Sequence, residues 1–134
     1  PDMAQRLNRA GIAGADGFAL NTSNFFTTAQ NEQYGNQLSA LVGGKHYVVD
    51  TSRNGAGPTA DRQWCNPAGR ALGQAPTTNT GKPLVDAFLW IKHPGDSDGE
   101  GNGGKKAGAW MPEYALDLAK RQAALATAAE KTPS

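Results

Sequence analysis

A chain of 134 residues and 14.0 kDa leaves room for one domain. Its 17 Gly and 8 Pro exceed ordinary usage without a collagen-like period, while a formal net charge of +1 and apolar runs at 47–49 and 87–91 exclude a disordered chain. No basic stripe extends beyond Lys105-Lys106 and Lys120-Arg121, which argues against a nucleic-acid partner. No apolar stretch approaches the roughly 20 residues of a membrane span.

The opening Pro1-Asp2-Met3-Ala4 reads as helix surface rather than as a signal peptide. A helix is expected over part of 2–12, with Leu7 and Ile12 on its inner face. Ala15 to Asn21 reads as a short strand that ends in a polar loop. The next helix, over 29–42, carries Tyr34, Leu38, Leu41 and Val42 at helical spacing, and Gly43-Gly44 stops it. His46 to Val49 forms a second strand, followed at once by the polar Asp50-Thr51-Ser52-Arg53-Asn54-Gly55.

From 54 to 82 the chain is rich in Pro, Gly, Asn and Thr, without periodicity, and reads as a long loop of the kind that carries function. Leu84 to Ile91 is a nearly continuous apolar strand, expected to be buried on both faces. A Gly-rich loop follows, and a last helix starts near Met111, with Pro112 and Glu113 suited to its first turn. Tyr114, Leu118 and Leu125 share a stripe of that helix, and its Ala-rich end near 129 is expected to fray. Strands alternating with helices predict an α/β fold with parallel strands, whose sites lie in the loops after the strands.

Polar residues at those strand ends are the candidates for chemistry. Lys92, Asp96 and Asp98 follow the third strand, where two carboxylates beside a lysine shift one another's pKa values and can hold one as a base. The plainer reading is a solvated acidic turn. Asp96, Asp98 and Glu100 also match the start of a calcium loop, but Ala107 stands where its bidentate Glu belongs and no helix precedes it. Asp50 with Arg53 reads as a structural ion pair. A Ser52–His93–Asp50 triad lacks any nucleophile elbow. Trp64, in a polar loop, either stacks on a sugar or base or packs under the loop. The lone Cys65 excludes an internal disulfide and a Cys-based zinc cluster.

Several blocks occur in one order: 48–55 (VVDTSRNG), Trp64-Cys65-Asn66, 76–81 (PTTNTG) and 86–92 (DAFLWIK) before Pro94-Gly95. Together with Gly17 to Asn24 and Trp110 to Tyr114, they resemble the C-terminal half of glycoside hydrolase family 6 over nearly the whole chain. The resemblance implies a partial distorted (β/α) barrel with parallel strands and outer helices, and residues 1–134 as the C-terminal part of a catalytic domain whose N-terminal half is absent. It implies inverting hydrolysis of β-1,4-glucan, a secreted enzyme and no cofactor, with a glucan chain and the missing half as partners, and neither nucleic acid nor membrane. Asp98 matches the family's base, acting directly or through a water chain. Lys92 and Asp96 match residues that bind glucose hydroxyls, Trp64 a tryptophan that stacks on a glucosyl ring, and Asn24 a sugar-binding asparagine. Asp50 and Arg53 match the supporting polar network.

Three departures from the family pattern stand out. Asp96 replaces a glutamate and is one methylene shorter. Gly101 stands where many bacterial members have a cysteine that pairs with the equivalent of Cys65, so a bond that stabilises by about 2–4 kcal/mol is forgone. The chain is also short for a barrel of roughly 250 residues, and it holds a candidate for only one of the two carboxyls an inverting glycosidase needs. The chain alone is therefore expected to be inactive. The rival readings are a carbohydrate-binding module with Trp64 as its platform, which would bind cellulose without releasing sugar, and a calcium-loop structural protein.

Overall fold

A computed structural model describes residues 2–131. Helix α1 (Asp2–Ala10) leads through a 3-10 turn to strand β1 (Gly17–Leu20), helix α2 (Thr28–Leu41) and strand β2 (His46–Asp50). After a long irregular segment come strand β3 (Val85–Leu89), a second 3-10 turn and helix α3 (Pro112–Lys131). The strands form one parallel sheet in the order β1-β2-β3. The expected parallel order is therefore present, as three strands rather than a closed barrel.

Local chemistry sets the ends of α2. The Thr27 hydroxyl accepts from Gln30 N at 3.1 Å while Gln30 Oε1 accepts from Thr27 N at 2.9 Å, which satisfies two free N–H groups reciprocally. At the other end Gly43 and Gly44 both take φ of 75°, a left-handed conformation that costs glycine little. Helix α2 is the crossover between parallel β1 and β2, and it lies over the sheet through Leu38 and Val42, which are buried with Ala4 and Ile12. A second cluster of Tyr47, Val49, Val85 and Phe88 fills the sheet, and Phe18 and Leu20 bridge the two. The Phe18 and Tyr47 rings stack with centroids 5.3 Å apart. A side chain at Gly35 would run into the Tyr47 ring, so the helix can lie this close only with glycine there.

Helical spacing overstated the inner faces. Tyr34, Leu41 and Leu125 are exposed although they share stripes with buried Leu38 and Leu118. The described part of the chain offers nothing to cover them. Strand β3 is shorter than the apolar run 84–91, and Asp86, Leu89 and Ile91 are exposed, so it is not buried on both faces. β3 is itself an edge strand of the described sheet. Helix α3 runs as far as Lys131. It is anchored near its start, where Leu118 is buried and its carbonyl accepts from Leu72 N. Between β2 and β3 the connection carries no helix, only a bridge pairing Thr77 with Phe88 beside β3.

Candidate active site

Parallel strands bring their C-terminal ends to one rim, and each end here leads into a polar loop. The buried Asp50 carboxylate, at the end of central β2, ties those loops together. Its Oδ2 accepts from Ser23 N after β1 at 3.0 Å and from Lys92 N after β3 at 3.1 Å, and its Oδ1 accepts from Ser52 N at 2.9 Å. Asn21 reinforces the junction by donating to Asp50 O at 2.9 Å. Arg53 is fully buried and lies over the Phe25 ring, 4.2 Å from its centroid. The expected Asp50–Arg53 ion pair is not made: main-chain N–H groups occupy the Asp50 oxygens, and Arg53 turns to Asp98.

Asp98 is the electrostatic centre. Arg53 grips it with both terminal nitrogens, Nη1 to Oδ2 at 2.6 Å and Nη2 to Oδ1 at 3.0 Å. Lys92 Nζ lies 3.1 Å from Oδ1, and Asn66 N donates to Oδ2 at 3.0 Å. The Asp98 side chain is 6% exposed, which replaces the reading of a solvated acidic turn. Burial pushes its carboxyl up, but the Arg53 hydrogen bonds, the Asn66 N–H, the Arg53 charge and Lys92 together outweigh it and hold the group below the usual aspartate value. Four donors fill the roughly four acceptor positions of a carboxylate. Asp98 is therefore a fixed anion at neutral pH.

The loop that carries Asp98 is closed at its base by antiparallel contacts, with Ser97 N donating to Ala109 O at 2.8 Å and Met111 N to Gly95 O at 2.9 Å. Across from it, Asn66 and Pro67 belong to the long irregular segment. Tyr114, from the first turn of α3, donates to Pro67 O at 2.9 Å. Burial first, with the Asp98 charge adding and Arg53 opposing, pushes its hydroxyl pKa up to about 12. The phenol stays neutral.

The structure thus joins Asp50, Arg53, Lys92 and Asp98 directly. Asn24 lies in the same β1 loop as Ser23, whose carbonyl accepts from Arg53, and its own Oδ1 caps Phe25 N. Asp96 is partly exposed and faces His93, with Oδ2 3.3 Å from Nδ1. Trp64 is 65% exposed, so it does not pack under its loop. It lies two residues before Asn66 in the chain. The Ser52–His93–Asp50 triad is not assembled: Ser52 is buried, while the His93 side chain is 82% exposed and turned to Asp96. Sequence reading missed Asn66, Ser97 and Tyr114, whose importance lies in long-range hydrogen bonds that no local pattern announces.

Cys65 is free, and a Cβ built on Gly101 would lie 2.9 Å from its sulfur and 3.2 Å from its Cβ. Gly101→Cys is expected to close a disulfide there. Linking positions about 35 residues apart should raise stability by about 2–4 kcal/mol. Melting curves of oxidised and reduced protein check this, and identical curves would contradict it.

The family model described as "Glycosyl hydrolases family 6" matches residues 1–122. Endoglucanase A of Cellulomonas fimi is 53% identical over 115 residues, covering 86% of this chain and 25% of that protein. A probable 1,4-beta-D-glucan cellobiohydrolase C of Aspergillus terreus is 38% identical over 99 residues, covering 66% of this chain and 21% of that protein. The endoglucanase Cel6 of Mycobacterium tuberculosis, solved with a thio-linked methyl cellobiosyl-cellobioside, superposes with a TM-score of 0.86 at 54% identity, covering 90% of this chain and 42% of that one. The chain therefore spans between a fifth and just over two fifths of the length of these relatives. The family match over residues 1–122, the identity to these relatives and the shared fold agree: the chain belongs to glycosyl hydrolase family 6.

Proposed function

We propose that this chain forms the base-side wall of a site that hydrolyses β-1,4-glucosidic bonds with inversion, the C-terminal part of a family 6 catalytic domain. The observation that carries the reading is the buried Asp98 held by Arg53 and Lys92 at the C-terminal rim of a parallel sheet. The fold is shared with an endoglucanase solved with a cello-oligosaccharide analogue. An inverting glycosidase places two carboxyls roughly 6.5–9.5 Å apart, one protonating the leaving oxygen and one activating water.

Asp98 is the base-side group. Of its donors, Lys92 is the replaceable one, because Arg53 is fully buried and Asn66 uses its main chain. A glucose hydroxyl that draws Lys92 Nζ away frees Oδ1 to take a proton from water, directly or through a second water. Asp96 and Asn24 bind further hydroxyls, and Trp64 stacks on a glucosyl ring. The acid comes from outside these residues: Asp50 is fully engaged with main-chain N–H groups, and Asp96 shares the Asp98 loop. Acid–base chemistry of this kind needs no cofactor. A polymeric substrate places the working protein outside the cell; among the described residues no helix is long and apolar enough to cross a membrane.

Anomer-resolved NMR of the first products from a catalytically complete domain, this chain joined to the remaining part of a family 6 domain, tests the reading. The α-anomer should appear first, and initial release of the β-anomer would contradict inversion. In the same protein Trp64→Ala should weaken cellotetraose binding about tenfold, the scale of one lost aromatic contact. Unchanged affinity by calorimetry would remove Trp64 from the site. The binding-module alternative draws on the same exposed Trp64 and is distinguished by binding without sugar release.

A further inference from the structure

The Asn66 side chain lies outside the contacts described above, and its hydrogen bonds are unusually concentrated. It is 4% exposed and takes φ of 47°, a left-handed conformation that Asn tolerates better than most residues. Its Oδ1 accepts from Asp98 N at 2.9 Å, and its main-chain N–H donates to Asp98 Oδ2 at 3.0 Å. Its Nδ2 donates to Gly99 O at 2.7 Å, to Gly101 O at 3.2 Å and to Ser97 Oγ at 3.3 Å. One residue thus holds the main chain and the carboxylate of Asp98 together with the turn that follows. The loop closes over this amide: a Cβ on Gly104 would collide with Nδ2 and with Gly99 O.

We propose that Asn66 is the positioning residue of Asp98, fixing the 97–101 turn so that the carboxylate meets Arg53 and Lys92 in one orientation. An aspartate cannot replace it, because Asp lacks the N–H donors and would set a second anion beside Asp98 and two carbonyl oxygens. Alanine would lack both the amide and the ease of the left-handed backbone. Asn66→Gly keeps the backbone and the main-chain N–H and removes the amide alone. The catalytic weight of this role rests on the reading of Asp98 as the base-side group, while the positioning itself does not.

The test is a carbon-13 NMR titration of the Asp98 carboxyl in the 134-residue chain, with Asp50 as internal reference. In Asn66→Gly the turn loses its side-chain anchor and the carboxylate shifts against its donors, so the Asp98 midpoint should rise by about one pH unit, the size of one weakened charge-assisted contact. Asp50 should not move. Ser97→Ala, which leaves both Asn66–Asp98 hydrogen bonds in place, should leave the Asp98 midpoint unchanged. A folded Asn66→Gly protein with an unshifted Asp98 overturns the proposal, as does an equal shift in Ser97→Ala. Should Asn66→Gly lose its dispersed spectrum, Gly104→Ala displaces the amide from outside, and the same rise or its absence decides. Absence of glucan hydrolysis in the catalytically complete domain would remove the functional reading and leave this result standing.

Discussion

Asp98→Asn is expected to lower glucan hydrolysis by a catalytically complete domain by about 100-fold or more, the usual reach of a positioned acid or base. Cello-oligosaccharide affinity should change only a few-fold, because Trp64, Asn24 and Asp96 are untouched. The same change leaves the buried Arg53 without its anion. Breaking a buried pair by removing one partner costs about 3–5 kcal/mol, so urea melts should show a loss of that order in Asp98→Asn. The pH dependence has a definite sign. The Asp98 carboxyl titrates below its ordinary 3.8 in the folded protein, so its contribution is complete above the unfolded value and fades as pH falls through the folded one. The stability gap between wild type and Asp98→Asn should stay constant near neutrality and close below about pH 4. A gap that widens in acid would mean that Asp98 is not the clamped anion described here.

Asp50→Ala should be the most damaging change to the scaffold. It removes the acceptor of three main-chain N–H groups, from Ser23, Ser52 and Lys92, at a point where Ser52 and Asp50 are fully buried. A hydrogen bond to a charged group contributes about 1.5–3 kcal/mol, so the three together predict a loss of about 4 kcal/mol or more. That is a large part of the total stability of a small domain. The chain is then expected to populate unfolded forms at room temperature. Circular dichroism melts check this, and a loss below about 1 kcal/mol would show that the strand-end loops hold their places without Asp50.

The fold was legible in the sequence because its signals are local. The apolar runs at 46–49 and 84–91 and the glycine pair at 43–44 mark elements within two or three residues of their observed ends. The bridging role of Phe18 and Leu20 and the stacking of Phe18 on Tyr47 were not legible, since they depend on which faces meet. The exposed Tyr34, Leu41 and Leu125 show the limit of periodicity: spacing places residues on a face but does not supply the partner that covers it. The site followed the same division. Asp50, Lys92 and Asp98 stand out as charges at strand ends. The choice of Asp98 over Asp50 as the partner of Arg53 is a tertiary fact: Asp50 is consumed by three N–H groups from three separate loops. Asn66 was hidden because its amide contacts reach across more than thirty positions.

The central claim, that these residues carry one side of a two-carboxyl site, is tested most directly by measuring reducing-sugar release from soluble β-glucan. The purified 134-residue chain should be compared before and after the rest of a family 6 domain is supplied in trans. Hydrolysis should be negligible for the chain alone, appear on addition of the complementary part, and vanish again with Asp98→Ala. Robust hydrolysis by the chain alone, free of contaminating enzyme, would contradict the account, because it would require both carboxyls of the site to lie within this chain.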